Sequence, residues 1–116
     1  MFPFENLEVY KKAFLINRKV YAFLKGNSTM PVYLKSQFGR ASLSIVLNIA
    51  EGSGRFTPKD RRNFLVMARG SVFECASITE VVAAEQEMST NESKEIIEGF
   101  DEISRMLYSM IKKLED

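Results

Sequence analysis

The chain has 116 residues, 46% hydrophobic and 27% charged, a composition that suits a single compact domain over residues 1–116 burying about two-thirds of its unfolded surface. One cysteine excludes an intrachain disulfide, and the lack of any histidine removes the usual zinc sites and histidine-based acid–base devices, so neither a metal nor a cofactor is expected. A net charge of +1 conceals a polarised chain: residues 1–72 hold twelve Lys and Arg against four acids, a net +8, and residues 73–116 hold four against eleven, a net −7.

In chain order, the first element is an amphipathic helix over about residues 7–25. Leu7, Tyr10, Phe14, Tyr21 and Leu24 recur at spacings of three, four or seven, and Ala13 and Val20 widen the stripe. Gly26-Asn27-Ser28 should end it, with Gly26 supplying a left-handed residue. Pro31 fits the first turn of a second helix that runs to near Glu51, with Leu34, Phe38, Ala41, Ile45, Asn48 and Gly52 along its seam.

Gly52-Ser53-Gly54 breaks that helix, and Thr57-Pro58-Lys59-Asp60 starts a third as a capping box with proline at the first position. Its seam is Phe64, Ala68, Ser71, Cys75, Ile78 and Val82. Gly70 in mid-helix costs about 1 kcal/mol in propensity, so it predicts a close helix crossing inside the bundle. Ser89 and Glu92 offer a second capping box, followed by the cleanest heptad, Ile96, Phe100, Ile103, Leu107, Met110 and Leu114. Long helices joined by short turns predict an all-α, antiparallel up-down-up-down four-helix bundle.

No apolar run approaches the roughly 20 residues of a bilayer crossing, and Met1-Phe2-Pro3-Phe4-Glu5 lacks the basic-then-apolar start of a secretory signal. A cytoplasmic protein with no membrane partner is therefore expected.

The segment from Arg40 to Gly52 reads Arg-Ala-x-x-Ser-Ile-x-x-Asn-Ile-Ala-Glu-Gly, followed by Gly54-Arg55 and, at Ala68–Glu74, Ala-x-Gly-Ser-x-x-Glu. In these motifs the chain resembles the four-helix-bundle proteins encoded in intervening sequences of bacterial 23S ribosomal RNA genes, and the similarity runs from Phe4 to Leu107. The resemblance implies a bundle that forms a homo-oligomer and binds nucleic acid, with no defined catalytic activity. Accessory proteins of diversity-generating retroelements are among the relatives; they form pentamers and bind nucleic acid and a reverse transcriptase. By resemblance a pentamer and such a protein partner are thus expected here. Two departures stand out: only Val32-Tyr33 separate Pro31 from Leu34, without the family's acidic residue, and Gly39-Arg40 replaces a frequent pair of arginines.

Two groups of residues are candidates for function. Arg40, Asn48, Glu51 and Glu74 fall in the matched motifs and predict a polar cluster in or beside the bundle, with Asn48 fixing register and an arginine pairing with Glu51 or Glu74. The second group is cationic. Lys11, Arg18 and Lys25 repeat every seven residues along the first helix, and Arg55, Lys59, Arg61 and Arg62 crowd the entry to the third around Phe56. Cations in a first helical turn oppose the helix dipole at about 0.3–1 kcal/mol each, and only Asp60 offsets them, so this loop is expected to contact phosphates and bases of RNA or DNA.

A rival reading uses the acids. Glu92, Glu95, Glu98, Asp101 and Glu102 crowd the fourth helix and could meet the basic stripe of a neighbouring copy, which gives a self-associating interaction scaffold with no nucleic-acid role. Tyr10, Phe14, Phe23 and Tyr33 exceed what one bundle buries and point the same way. Cys75 reads as a buried small residue, since no histidine can activate it; an enzyme is not expected.

Overall fold

A computed structural model describes residues 1–115. Its elements are a short 3-10 turn at Pro3–Asn6 and four helices: α1 (Glu8–Gly26), α2 (Val32–Ser53), α3 (Pro58–Ala84) and α4 (Thr90–Lys113). No strand occurs among the described residues. The helices form a ring in which each packs against its chain neighbours and α4 closes on α1, while the backbones of the diagonal pairs stay apart.

Cross-helix pairs fix the directions. Asn17 meets Ser42 and Leu24 meets Gly39 between α1 and α2. Ser44 meets Ser71 and Gly52 meets Phe64 between α2 and α3, Arg69 meets Ser104 and Arg62 meets Glu115 between α3 and α4, and Lys12 meets Glu102 and Lys19 meets Glu95 between α4 and α1. In every pair one number rises as the other falls, so all four contacts are antiparallel. The rod measures 45 × 25 × 22 Å. No helix is long and apolar enough to cross a membrane.

Phe38, Ile45, Cys75, Val82, Phe100 and Leu107 of the expected seams are fully buried, but Ile49 rather than Asn48 continues the core of α2, and in α3 Leu65, Val72 and Thr79 are buried while Phe64 and Ser71 are half-buried. In α1 the stripe is rotated from the expected one. Val9, Ala13, Ile16 and Val20 fill the core, whereas Phe14 is 46% and Tyr21 67% exposed. The buried set of α1 consists of small and β-branched side chains, and Ile16 points its Cδ1 at Gly99 of α4, where an added Cβ would stand 2.8 Å away.

Three further expectations are corrected. Gly70 does not sit in a crossing of the bundle; it is exposed on α3, and a Cβ there would meet nothing within 4 Å. The close approaches belong to Gly99 and to Gly52, whose added Cβ would lie 3.0 Å from Phe64 Cβ. Gly26 does not adopt a left-handed conformation but closes α1 as its last residue; the chain leaves through Asn27, whose Oδ1 accepts from the N–H groups of Thr29 (3.0 Å) and Met30 (3.1 Å). The left-handed residue is Gln86 (φ 61°), after α3, where Glu87 N–H reaches Val82 O and Gln86 N–H reaches Ala83 O, the paired bonds of a Schellman turn. Both predicted caps form on one side only: Thr57 Oγ1 accepts from Asp60 N–H and Ser89 Oγ from Glu92 N–H, each at 3.1 Å.

Candidate nucleic-acid interface

The turn between α2 and α3 is built by short-range bonds. Gly54 N–H donates to Glu51 O (3.1 Å) and Arg55 N–H to Gly52 O (3.2 Å), and the Thr57 cap with Pro58 behind it starts α3 at once. Because Gly52 carries no side chain, the end of α2 lies against Phe64 and Arg61 of α3. This tightness turns Phe56 fully outward, 97% exposed.

Around Phe56 the cations differ in what they are free to do. Arg55 reaches Glu51 at 3.2 Å and lies over the Phe64 ring, 4.4 Å from its centroid, so its charge is partly engaged. Arg62 bonds Glu115 at 3.2 Å, and its buried Nε has no partner among the described residues. Arg61 Nε donates to Arg55 O at 2.7 Å, which fixes the guanidinium without neutralising it. Among the described residues neither Arg61 nor Lys59 has a carboxylate within 4.0 Å. Lys112, at the end of α4, shares Glu115 at 3.0 Å, and these two cations hold the Glu115 carboxyl below its ordinary range, Lys112 contributing first and Arg62 second.

The α1 stripe is split differently. Lys11 lies 3.5 Å from Glu8, and Arg18 and Lys25 have no carboxylate partner among the described residues. The adjoining Lys12 and Lys19 are taken by Glu102 (3.3 Å) and Glu95 of α4, and the hydrogen bond from Lys19 lowers the pKa of Glu95. Acidic α4 therefore neutralises the flank of α1 that faces it and leaves the outermost row of cations uncovered. Arg69 is committed to structure: its Nε donates to Ser104 O (3.3 Å), and its guanidinium lies over Phe73 and Tyr108.

The expected cluster of Arg40, Asn48, Glu51 and Glu74 is not assembled. Asn48 Nδ2 donates to Ser44 O and Ser44 Oγ, both at 2.9 Å, and Ser44 Oγ bonds Ser71 Oγ at 2.9 Å, a half-buried chain of neutral groups across α2 and α3. Arg40, Glu51 and Glu74 are exposed; Glu51 binds Arg55, and Glu74 accepts from Gln37. Hydroxyls satisfy Asn48 without burying a charge, which is the cheaper solution. The two serines lie in the matched motifs at seam-flanking positions, and that is the signal available in the sequence.

Cys75 is fully buried, and burial with a smaller effect of Glu74 raises its thiol pKa to about 12, so it is no nucleophile at neutral pH. No group of three or more His, Cys, Asp or Glu side chains among the described residues is placed to hold a metal ion.

Sequence reading missed an apolar surface. Leu43 and Leu47 on α2, and Val66, Met67, Phe73 and Val81 on α3, are 44–56% exposed, with Gly70 open among those of α3. The Leu43/Leu47 spacing of four, one step off the seam, marks this second face.

A family model described as "23S rRNA-intervening sequence protein" matches residues 5–109. A crystal structure of a protein with unknown function from the S23 ribosomal protein family of Bacteroides thetaiotaomicron matches 90% of this chain and 98% of its own, with 24% sequence identity and a TM-score of 0.83, a likeness of fold. No curated protein matches the chain.

Proposed function

The chain belongs to the 23S rRNA-intervening sequence protein family, and from that premise we propose that it is a non-catalytic, self-associating cytoplasmic protein that binds RNA or DNA phosphates. The observation that carries the reading is a 97% exposed Phe56 followed, in the first turn of α3, by Lys59 and Arg61, two cations without carboxylate partners among the described residues. Glu51 and Asp60 line the cleft beside Phe56, so phosphates would be held on the Lys59 and Arg61 side. Phosphates would satisfy these cations, and an unstacked base would cover the ring. Arg55 and Arg62 flank the contact, and Lys11, Arg18 and Lys25 extend it along α1. Arg18 and Lys25 stand about 10.5 Å apart along the helix, the rise of seven residues.

Self-association is supported by the apolar outer faces of α2 and α3. Six large side chains there remain 44–56% exposed, more than a monomer usually leaves on one face. A pentamer is the assembly that the family resemblance implies, and light scattering of the eluting protein reads its mass directly.

Fluorescence anisotropy with labelled RNA and DNA of mixed sequence tests the binding. Counterion release predicts a steep fall in affinity between about 50 and 200 mM salt. No binding of either nucleic acid at the lower salt would leave the rival reading, an interaction scaffold built on the α2 and α3 faces, provided the protein still assembles.

A further inference from the structure

A cleft of about 550 Å³ opens at the same end of the bundle, between the 3-10 turn, the end of α2, the start of α3 and the end of α4. Its walls are aliphatic: Pro3, Leu7, Ile49, Leu65, Met110 and Leu114. Ile49 and Leu65 are core residues, 0% and 5% exposed, so the hydrophobic interior lies directly behind the floor of the cleft. The polar side chains on it are Ser53, Arg61 and Lys113. Ser53 Oγ is occupied, donating to Ala50 O at 2.8 Å. Neither Arg61 nor Lys113 has a carboxylate partner among the described residues, and no acidic residue lines the cleft.

We propose that this cleft binds a single-chain aliphatic carboxylate, its tail against the aliphatic walls and its head between Arg61 and Lys113. The volume lies within the range of about 300–1,000 Å³ typical of small-molecule sites. The chemistry of the walls selects the class. No aromatic side chain offers a platform for a base, and the polar side chains are one serine hydroxyl and two cations, so the donors of a nucleobase or sugar edge would find few partners here. An unbranched chain has none to lose. Two cations with no carboxylate partner among the described residues favour an anionic head, and the guanidinium of Arg61, held through Nε by Arg55 O, is already oriented.

The neighbouring cleft gives the contrast. It has a volume of about 470 Å³ and carries Phe2, Phe56 and Arg55, but also Glu51 and Asp60, which would repel the same head. The proposal does not depend on nucleic-acid binding, and its test uses none.

The experiment is calorimetric titration of the full chain with dodecanoate below its micelle concentration, with methyl NMR spectra of the same mixture. Saturable binding is expected, with shifts at the methyls of Ile49, Leu65 and Met110. The double variant Arg61→Gln/Lys113→Gln, both at exposed positions, should weaken it about tenfold or more, because two charge-assisted bonds are removed. Lys59→Gln removes a nearby charge that does not line the cleft and should leave the affinity unchanged; dodecanol should bind more weakly than the acid. Phospholipid vesicles should not sediment the protein. Absence of saturable binding, equal weakening by Lys59→Gln, dodecanol binding as tightly as dodecanoate, or sedimentation with vesicles would each overturn the proposal, the last by assigning the cleft to the chains of a bilayer.

Discussion

The two ends of the bundle are held together by opposite means. At the end where α2 turns into α3, Arg55, Lys59, Arg61, Arg62, Lys112 and Lys113 stand with Glu5, Glu8, Glu51, Asp60 and Glu115; Glu51 pairs with Arg55, and Glu115 with Arg62 and Lys112. At the other end, around Glu80, Glu85, Glu87, Glu92 and Glu95, the turns are joined mainly by neutral donors. Thr29 Oγ1 donates to Glu87 Oε2 at 2.8 Å, and Asn27 Nδ2 donates to Glu87 O at 3.3 Å, linking the α1–α2 turn to the α3–α4 turn. Among the described residues Lys25, Lys35 and Lys94 at that end have no carboxylate within 4.0 Å, as Lys59, Arg61 and Lys113 have none at the other. The ends differ in that Glu87 ties two turns together through neutral donors, whereas Glu115 ties α4 to α3 through cations. Because the helices are antiparallel, two N-termini and two C-termini lie at each end, so the helix dipoles roughly cancel and the side chains alone set this polarity. A near-zero net charge thus describes a rod about 45 Å long with a cluster of cations at the α2–α3 turn and a cluster of glutamates at the opposite end.

The largest expected effect comes from reversing one end. Lys59→Glu/Arg61→Glu should remove nucleic-acid binding at about 100 mM salt, and the neutral pair Lys59→Gln/Arg61→Gln should flatten the plot of log K against log salt by about 2, one for each phosphate that is no longer neutralised. Glu85→Gln/Glu92→Gln at the acidic end should not weaken binding. Equal weakening from both ends would make the polarity irrelevant to function. Next in size is packing. Gly52→Leu at the cationic end would drive a side chain into Phe64 and the Arg61 carbonyl, at about 1–3 kcal/mol as measured by urea unfolding. Gly26→Ala, where a Cβ meets nothing within 4 Å, should instead stabilise slightly.

Gly70 carries the third prediction. In open space on a helix, Gly70→Ala should raise stability by about 0.5–1 kcal/mol through helix propensity alone. If α3 meets a neighbouring copy across Gly70, Gly70→Leu should keep the fold but lower the assembled mass in light scattering. A dissociated but well-folded variant would show that the glycine serves the packing between subunits; an unchanged mass would exclude α3 as the interface.

Gly70 also shows where sequence reading reaches its limit. The cost of a helical glycine is legible in sequence, but the side on which its compensation lies is not, because Gly70 differs from Gly99 only in the partner helix that approaches it. Heptads located most of the core of α2, α3 and α4 because their large apolar residues repeat on one face. They failed in α1, where two apolar stripes compete and the one with the smaller residues, Val9, Ala13, Ile16 and Val20, faces the core. The cationic turn was legible since Thr57 and Pro58 fix its backbone. Which of its cations are neutralised was not, because that depends on Glu115 returning from the far end of the chain.

Glu95 and Glu115 supply the smallest and most selective test. Both carboxyls titrate below their ordinary value of 4.5, Glu95 through its bond to Lys19 and Glu115 through Lys112 and Arg62. A depressed folded-state pKa contributes stability that is present above the unfolded value and is lost as pH falls through the folded one. The decline of Tm on acidification should therefore begin below about pH 4.5 and be shallower in Glu95→Gln and Glu115→Gln than in the parent. Added salt should shrink the difference, since both carboxylates are exposed. The two variants should part at neutral pH. Glu95→Gln releases one lysine on the flank of α1, whereas Glu115→Gln releases Arg62 and Lys112 together beside Lys59, Arg61 and Lys113. Glu115→Gln should thus bind nucleic acid more tightly than the parent at low salt even though its Tm is lower, a trade that Glu95→Gln should show far less. Equal gains in binding from the two would mean that the phosphates are read along α1 rather than at the cationic end.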